Sequence, residues 1–305
     1  MSKLHSYSKV WAIGHAQTKN LFKGSVVVQE KIDGSQFSFG VIDGALHCRS
    51  KGQAVGSGGN QEGMFAEAVK TANLIYSTGT IPEGMTVRCE FLQKPKHNVL
   101  AYSRTPIGHL IIYDISMPGQ DGLETYGTTE FVKGYADMWG LETVPTYLQG
   151  ELSAQEFRGL LPKWLQQESI LGGPKIEGVV VKNNQEYDEF GKRLAGKYVS
   201  EQFKEKHDDT WKTRQTGSVI EQIIASFNKE AIWTKAIQHA REDGVLLNEP
   251  KDIGYLIGAV KKDFSEENEP WIRKRIFEEF YDDIVKGVLS GFPQWCKEQL
   301  MKGAE

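Results

Sequence analysis

Residues 26–41 read VVVQEKIDGSQFSFGV, with apolar and polar positions alternating on both sides of Glu30-Lys31-Ile32-Asp33-Gly34-Ser35. A period of two marks half-buried strands, so the stretch predicts two strands with a lysine presented at the end of the first. Gly34 lets the backbone turn closely and leaves room for a bound group. Alternation resumes after the turn signal Asp43-Gly44 in residues 45–51, and the whole region reads as a meander. Residues 56–60 form a flexible glycine-rich loop, after which Met64, Phe65, Ala68, Val69 and Ala72 recur at helical spacing. Residues 86–92 predict a strand with Glu90 inside it, and residues 110–115 a more buried strand. Residues 1–25 have too little periodicity to predict an element, and residues 124–170 look mostly helical and loop-like, with no chemistry. A Gly172-Gly173-Pro174 breaker then leads into a β-branched strand ending at Lys182, and residues 193–199 predict a short strand with a lysine within it.

After about residue 210 the period changes. Ile253, Leu256, Ile257, Val260 and Phe264 follow helical spacing, as do Ile272, Ile276, Phe280, Ile284 and Val288. Asn228 and Gly244 fit a helix N-cap and a C-terminal stop, and Ser265 fits a cap for the last helix, without the acidic residue of a capping box. The expected organisation is α+β: an antiparallel-sheet domain over residues 1–210, joined near Asp208-Asp209-Thr210 to a smaller all-helical domain over 211–305.

Composition narrows the class of function. A chain of 305 residues with no apolar run near the ~20 residues of a membrane span reads as globular, and its first residues do not resemble a signal peptide. The expectation is a cytoplasmic protein with no membrane contact. Cys48, Cys89 and Cys296 are scattered, which argues against a disulfide framework and a cysteine-rich zinc site. The net charge of -4 argues against indiscriminate coating of nucleic acid. Residues 1–100 nevertheless carry 11 basic against 7 acidic residues, so positive charge gathers in the part that contains Lys31.

A lysine is an amine nucleophile only when desolvation, cationic neighbours or a metal frees its lone pair. Taken alone, K-x-D-G also describes a hairpin with a surface lysine, and Glu90 a strand residue facing solvent. Lys94-Pro95-Lys96-His97 and Arg104 read either as a phosphate-contacting loop or as a solvated one. Charged residues recurring at strand ends across one domain favour a shared site.

Taken in order, E-K-I-D-G-S at 30–35, R-S-K-G at 49–52, R-C-E-F at 88–91, I-I-Y-D-I at 111–115, E-G-V-V-V-K at 177–182 and G-K-Y-V at 196–199 resemble the motif series of the covalent lysine nucleotidyltransferases. Within that superfamily of ATP-dependent ligases and messenger-RNA capping enzymes, the spacing and the helical tail are most similar to the RNA ligase 2 family. The resemblance implies an ATP-dependent, Mg²⁺-assisted ligase acting on RNA ends or nicked duplexes containing RNA, with no protein partner. It implies Lys31 as nucleophile, Glu90 as a ribose contact, Tyr113 as the ring stacked on adenine, and Glu177 as the metal-supporting carboxylate. Lys182 and Lys197 become phosphate contacts whose charge helps depress the Lys31 pKa, Lys51 another phosphate contact, and Glu30 part of the nucleotide site. Gln36 is the implied substrate contact, and Arg104, from the possible phosphate-contacting loop, is a further candidate.

One position departs from the pattern: Ala195 stands where the family's last motif has the first lysine of K-x-K. Compensation by Lys192 or Arg193 is the expectation. A small DNA ligase or capping guanylyltransferase is the alternative enzyme, but those relatives carry a β-barrel and a basic R-x-D-K string after the last motif, whereas this tail reads helical. A catalytically inactive nucleotide- or RNA-binding relative is the alternative that Ala195 motivates. Lys212, Arg214, Lys261, Lys262, Arg273, Lys274 and Arg275 in the tail are available for RNA phosphates, or form a solvated face.

Overall fold

The computed structural model describes residues 4–302 apart from 5, 53, 56–61, 120–122, 188–192, 201–218, 226, 228 and 248. The glycine-rich loop, Lys192, Lys212, Arg214, Asn228 and the expected joint at 208–210 lie outside the described residues.

Where the pattern predicted one meander, the strands divide between two sheets. The first contains β1 (Trp11–Ala12), β2 (Ser25–Lys31), β10 (Thr146–Glu151), β11 (Gly178–Tyr187) and β12 (Arg193–Val199), in the order β1-β12-β11-β2-β10. The second contains β3 (Ser35–Ile42), β4 (Ala45–Ser50), β5 (Ala54–Val55), β6 (Thr86–Phe91), β7 (Leu110–Pro118) and β8 (Glu124–Tyr126), in the order β5-β4-β3-β6-β7-β8, with β9 (Glu142–Thr143) also on β7. Pairing is antiparallel except for β1 with β12 and β7 with β9.

The expected hairpin about Lys31 is therefore not formed, because β2 and β3 belong to different sheets and residues 32–34 cross between them. Three contacts hold the crossing. Ile32 is buried with Leu92, Leu100, Tyr102 and Ile111 in an apolar cluster. The Asp33 carboxylate accepts hydrogen bonds from the Val99 and Leu100 amides at 2.8 and 2.7 Å, and the Asp33 amide donates to the Tyr102 hydroxyl at 2.8 Å. Gly34 lies so close to β6 that a Cβ would stand 3.0 Å from the Phe91 carbonyl oxygen, so the room it leaves is taken by a strand and not by a bound group. The Asp43-Gly44 turn does form a hairpin, β3 to β4, with both residues in the left-handed region at φ 52° and 72°.

Each sheet has its own core. Phe37, Phe39, Val87 and Ile115 of the second sheet pack against Phe65, Ala68 and Ala72 of α1 (Glu62–Ser77) and Val132 and Ala136 of α2 (Thr129–Trp139). Val26, Val28, Val179 and Val181 of the first pack against Phe157, Leu161 and Trp164 of α3 (Ala154–Trp164). Residues 124–170 contain strands as well as helices, in contrast to the helical expectation. β10 is short and largely exposed, and pairing with β2 fixes what its pattern does not show.

The tail is helical: α4 (Val219–Ala225), α5 (Lys229–Glu242), α6 (Asp252–Leu289) and α7 (Phe292–Lys302). Gly244, at φ 62°, follows α5 as its stop. Ser265 caps nothing, because α6 runs through both apolar stripes as one helix of 38 residues. A small cluster of Ile223, Phe227 and Ile232, with Phe264 and Trp271 against it, ties α4 and α5 to α6. Among the described residues, no helix is long and apolar enough to cross a membrane.

Candidate active site

Lys31 is the last residue of β2, opposite Gly178 at the start of β11. A Cβ on Gly178 would lie 1.9 Å from the Tyr198 carbonyl oxygen, so only glycine lets β12 come this close. Glu177, one residue earlier, is thereby brought to Lys31, and its Oε2 accepts from the lysine Nζ at 2.6 Å. The register places Val180 between Gln29 and Lys197, and Lys182 beside Ala195. With side chains alternating along each strand, Gln29, Lys31, Val180, Lys182, Ala195 and Lys197 share one face, while Val28, Val181 and Leu194 enter the core behind. The second sheet faces them with Gln36 of β3, Glu90 of β6 and Tyr113 of β7, and the two sets enclose a cavity of about 110 Å³.

Burial works to lower the Lys31 pKa, but its acidic neighbours, the Glu177 carboxylate foremost, outweigh it and hold the amine above the ordinary lysine value. The expected depression by Lys182 and Lys197 is thus overturned, because the negative charge beside the ammonium outweighs theirs. Burial raises Glu177 against the opposing charge of Lys31. Burial likewise pushes Glu90 up to about 8, so this carboxyl keeps its proton through most of the neutral range. Lys182 is pulled down to about 8 by burial, and Lys197 is lowered by burial too.

Lys182 donates to the Tyr113 carbonyl at 2.6 Å and pairs with Asp114 at 3.1 Å, with its Nζ 5.3 Å from the centre of the Tyr113 ring. Arg193 also faces this region but is committed to Asp114, to the Tyr7 hydroxyl and to the Tyr126 ring, 3.6 Å away. It brings no charge to the cavity in place of Ala195, contrary to expectation, because a buried aspartate already holds it. Glu30 borders the cavity, yet its carboxylate accepts from the Ser169 hydroxyl at 2.5 Å and the Ile170 amide at 3.1 Å. Gln36 borders it with an Nε2 that has no hydrogen-bond partner among the described residues.

Two expected residues lie elsewhere. Arg104 forms a bidentate pair with Glu142 at 2.9 and 2.6 Å, outside the cavity lining. Lys51 is exposed, also outside the lining, with its Nζ 3.4 Å from His239 Nε2 on α5. Lys94 and Lys96 are exposed as well.

The pattern of apolar positions missed four contributors. Tyr7 and Val10, from the segment without periodicity, line the cavity, and Tyr7 meets Tyr113 edge-on at 5.3 Å between centroids. The helices contribute Glu242, which accepts from Ser35 Oγ at 2.8 Å, and Glu267, which accepts from Lys197 Nζ at 3.2 Å. His97 Nδ1 accepts from the Gln93 amide, so its Nε2 proton points to Ser35 Oγ at 2.9 Å. Ser35 Oγ in turn donates a hydrogen bond to Glu242, so its proton and a lone pair are both engaged within the protein. The cluster is a link between the sheets and α5, not a nucleophilic serine.

Among the described residues no three His, Cys, Asp or Glu side chains form a metal cage. Magnesium at nucleotide sites needs one or two carboxylates and takes its remaining oxygens from phosphate and water. Glu177, an oxygen donor beside the nucleophile and flanked by Glu90, fits such a site.

A second, open cavity of about 490 Å³ lies between the N-terminal segment and α6. It is lined by Lys9, Trp11, His15, Glu266 and Arg273, and Trp11 stacks on His15 at 4.3 Å.

No curated protein matches the chain. Among solved structures, an apo mutant of the RNA ligase of Naegleria gruberi is similar with a TM-score of 0.50 at 14% identity, covering 68% of this chain and 59% of that one. The same ligase with pyrophosphate gives a TM-score of 0.49 at 15% identity, over 68% and 60%. The chain thus spans about three fifths of the length of these structures, and the first of them shares its fold. The sequence model of the RNA ligase family matches residues 24–199, which run from the start of β2 to the end of β12 and hold Lys31, Glu177 and the lysines beside them. By that match, which covers more than half of its length, this chain belongs to the RNA ligase family.

Proposed function

We propose that the protein is an ATP-dependent RNA ligase that joins 5′-phosphate and 3′-hydroxyl ends. The observation that carries this reading is Lys31 at the crossing between the sheets, 2.6 Å from Glu177, with Lys182 and Lys197 on the same face and Tyr113 opposite. The deprotonated Lys31 amine attacks the α-phosphorus of ATP; an N–P bond forms as the bond to pyrophosphate breaks. A 5′-phosphate oxygen next displaces the lysine, which leaves as the amine, and a 3′-hydroxyl then displaces AMP.

Each step is an in-line displacement at phosphorus, so positioning and charge stabilisation supply the acceleration. Lys182 and Lys197 oppose the charge that develops on phosphate oxygens. Tyr113 stacks on the base, a contact worth ~1 to 3 kcal/mol in nucleic-acid binders. Glu90 can donate its retained proton to the ribose. Glu30 borders the nucleotide, Gln36 offers an amide donor to the joining ends, and Lys51 meets phosphate at the outer edge. A magnesium ion held through Glu177 supplies Lewis acidity at the phosphates. A cytoplasmic role in RNA repair suits this reading.

Incubation with α-labelled ATP and α-labelled GTP tests the assignment. Label from ATP supports the ligase, label from GTP a capping enzyme, and absence of label an inactive relative. Lys197→Ala is expected to slow adenylylation by about a hundredfold, since it removes a cation from a reacting phosphate. Near-normal single-turnover rates in that variant would take Lys197 out of the site. Because Lys31 is held above its ordinary value, the free amine is the minority form at neutral pH. Adenylylation is therefore expected to accelerate from pH 6 to about pH 8, where Lys182 and Glu90 begin to lose their protons; a rate that falls between about pH 6 and 8 would contradict it.

A further inference from the structure

Lys197 is not alone at the rim of the cavity. Its Nζ and that of Lys235, on α5, both approach one oxygen of Glu267, at 3.2 and 3.0 Å. The lysines come from parts of the chain that share no strand or helix, yet they converge on a single anionic atom. All three side chains are largely shielded, with 22%, 27% and 31% of their surface accessible for Lys197, Lys235 and Glu267. Two ammonium groups held this close repel each other, and an anion between them is what makes the arrangement tolerable. Ala195, on the face that Lys197 shares, adds no charge, so the second cation here comes from the helices.

Carboxylate and phosphate oxygens accept the same charge-assisted hydrogen bonds, and a phosphate brings more negative charge. The cavity of about 110 Å³, which Lys197 lines, is smaller than the ≈ 300 Å³ at the lower end of small-molecule sites, so part of a nucleoside triphosphate extends past it. We propose that Lys197 and Lys235 form a phosphate-binding site shared between β12 and α5, which Glu267 fills in the ligand-free protein and a phosphate group displaces. Its location rests on the geometry; its ligand, the pyrophosphate portion of ATP or the 5′-phosphate of RNA, rests on the ligase reading.

Calorimetric titration of the full chain with inorganic pyrophosphate tests the site without any reaction. Lys235→Ala is expected to weaken binding at least about fivefold while Lys235→Arg keeps it within about twofold, and Glu267→Gln to tighten it about threefold. Asp137→Asn breaks the exposed pair with Lys133 on α2 and is expected to leave binding unchanged. Should Lys235→Ala fail to fold, Glu267→Gln and Lys235→Arg still decide. Titration with 5′-phosphorylated and 5′-hydroxyl RNA separates the two sources. A Lys235-dependent preference for the phosphorylated end assigns the site to RNA, and dependence confined to pyrophosphate assigns it to the nucleotide. Binding that ignores Lys235 in both titrations, weaker binding in Glu267→Gln, or no pyrophosphate binding by the wild type overturns the proposal. Lys235-dependent binding in a protein that never labels with ATP would instead sink the ligase reading and leave the anion site standing.

Discussion

Replacing Lys31 with alanine is expected to abolish covalent attachment of AMP, from a readily detected adduct to none. No other lysine can take over. Lys182 is held by the Tyr113 carbonyl and Asp114. Lys197 lies on β12, separated from β2 by β11, and two strand spacings put it about 10 Å away. Lys31→Arg sharpens the result, because a guanidinium keeps the positive charge beside Glu177 but does not lose its proton in a protein. Both variants are therefore expected to lack the adduct while the arginine variant still binds ATP. Intact-mass measurement after incubation with ATP and Mg²⁺ reads the outcome; undiminished AMP on either variant would remove Lys31 from the nucleophile's role.

The second large effect is on stability. Asp114 is 3% exposed and is the shared counterion of Arg193 and Lys182, which are 4% exposed each. Asp114→Ala leaves two buried cations without it, and breaking a buried pair from one side costs about 3–5 kcal/mol. Urea unfolding of wild type and variant is expected to show a loss of that size, and a loss below about 1 kcal/mol would mean that the cluster relaxes or takes up water. The pH dependence has a definite sign. Burial opposes ionisation of Asp114, but Arg193, Lys182 and the Tyr7 hydroxyl overcome it and hold the carboxyl far below its usual range. The stabilisation is thus complete above about pH 4, where the unfolded-state carboxyl is ionised, and fades as pH falls toward the folded-state value. The variant should show a correspondingly shallower acid-side decline.

What could be read from the sequence depended on whether a residue's surroundings are local. The strand of Lys31 follows from alternation, since burial of one face imposes a period of two on the strand itself, and those of Tyr113 and Lys182 follow from short runs of apolar and β-branched residues. The assignment of β2 and β3 to different sheets does not, because the crossing depends on Asp33 meeting the amides of Val99 and Leu100, about 65 residues further along. Tyr7 and Val10 were invisible for the same reason: a segment that earns its order by leaning on others has no period of its own. Arg104 and Lys51 illustrate the converse. Their charge was legible, but the partner that holds each, Glu142 or His239, is set by tertiary structure. Approach of α5 and α6 to Ser35 and Lys197 was beyond any local pattern, as the two ends of those contacts are 207 and 70 residues apart.

The division of the site between two separately cored sheets makes it a composite instrument. The proposed base platform, Tyr113, packs against the cluster of Ile32, Leu92 and Leu171 at the crossing, while the strands of Lys31, Lys182 and Lys197 rest on the valine core above α3. Close packing means that a methylene lost from either core is felt nearby and much less across the divide. Two adjustment screws result: cavities cut in the crossing cluster retune affinity for the base, and cavities cut in the valine core retune alignment at phosphorus. Drift in nucleotide preference and drift in catalytic rate can thus accumulate along different mutational routes, coupled through the crossing that follows the nucleophile and through Asp114 of β7, which holds Lys182 and Arg193 of the other sheet.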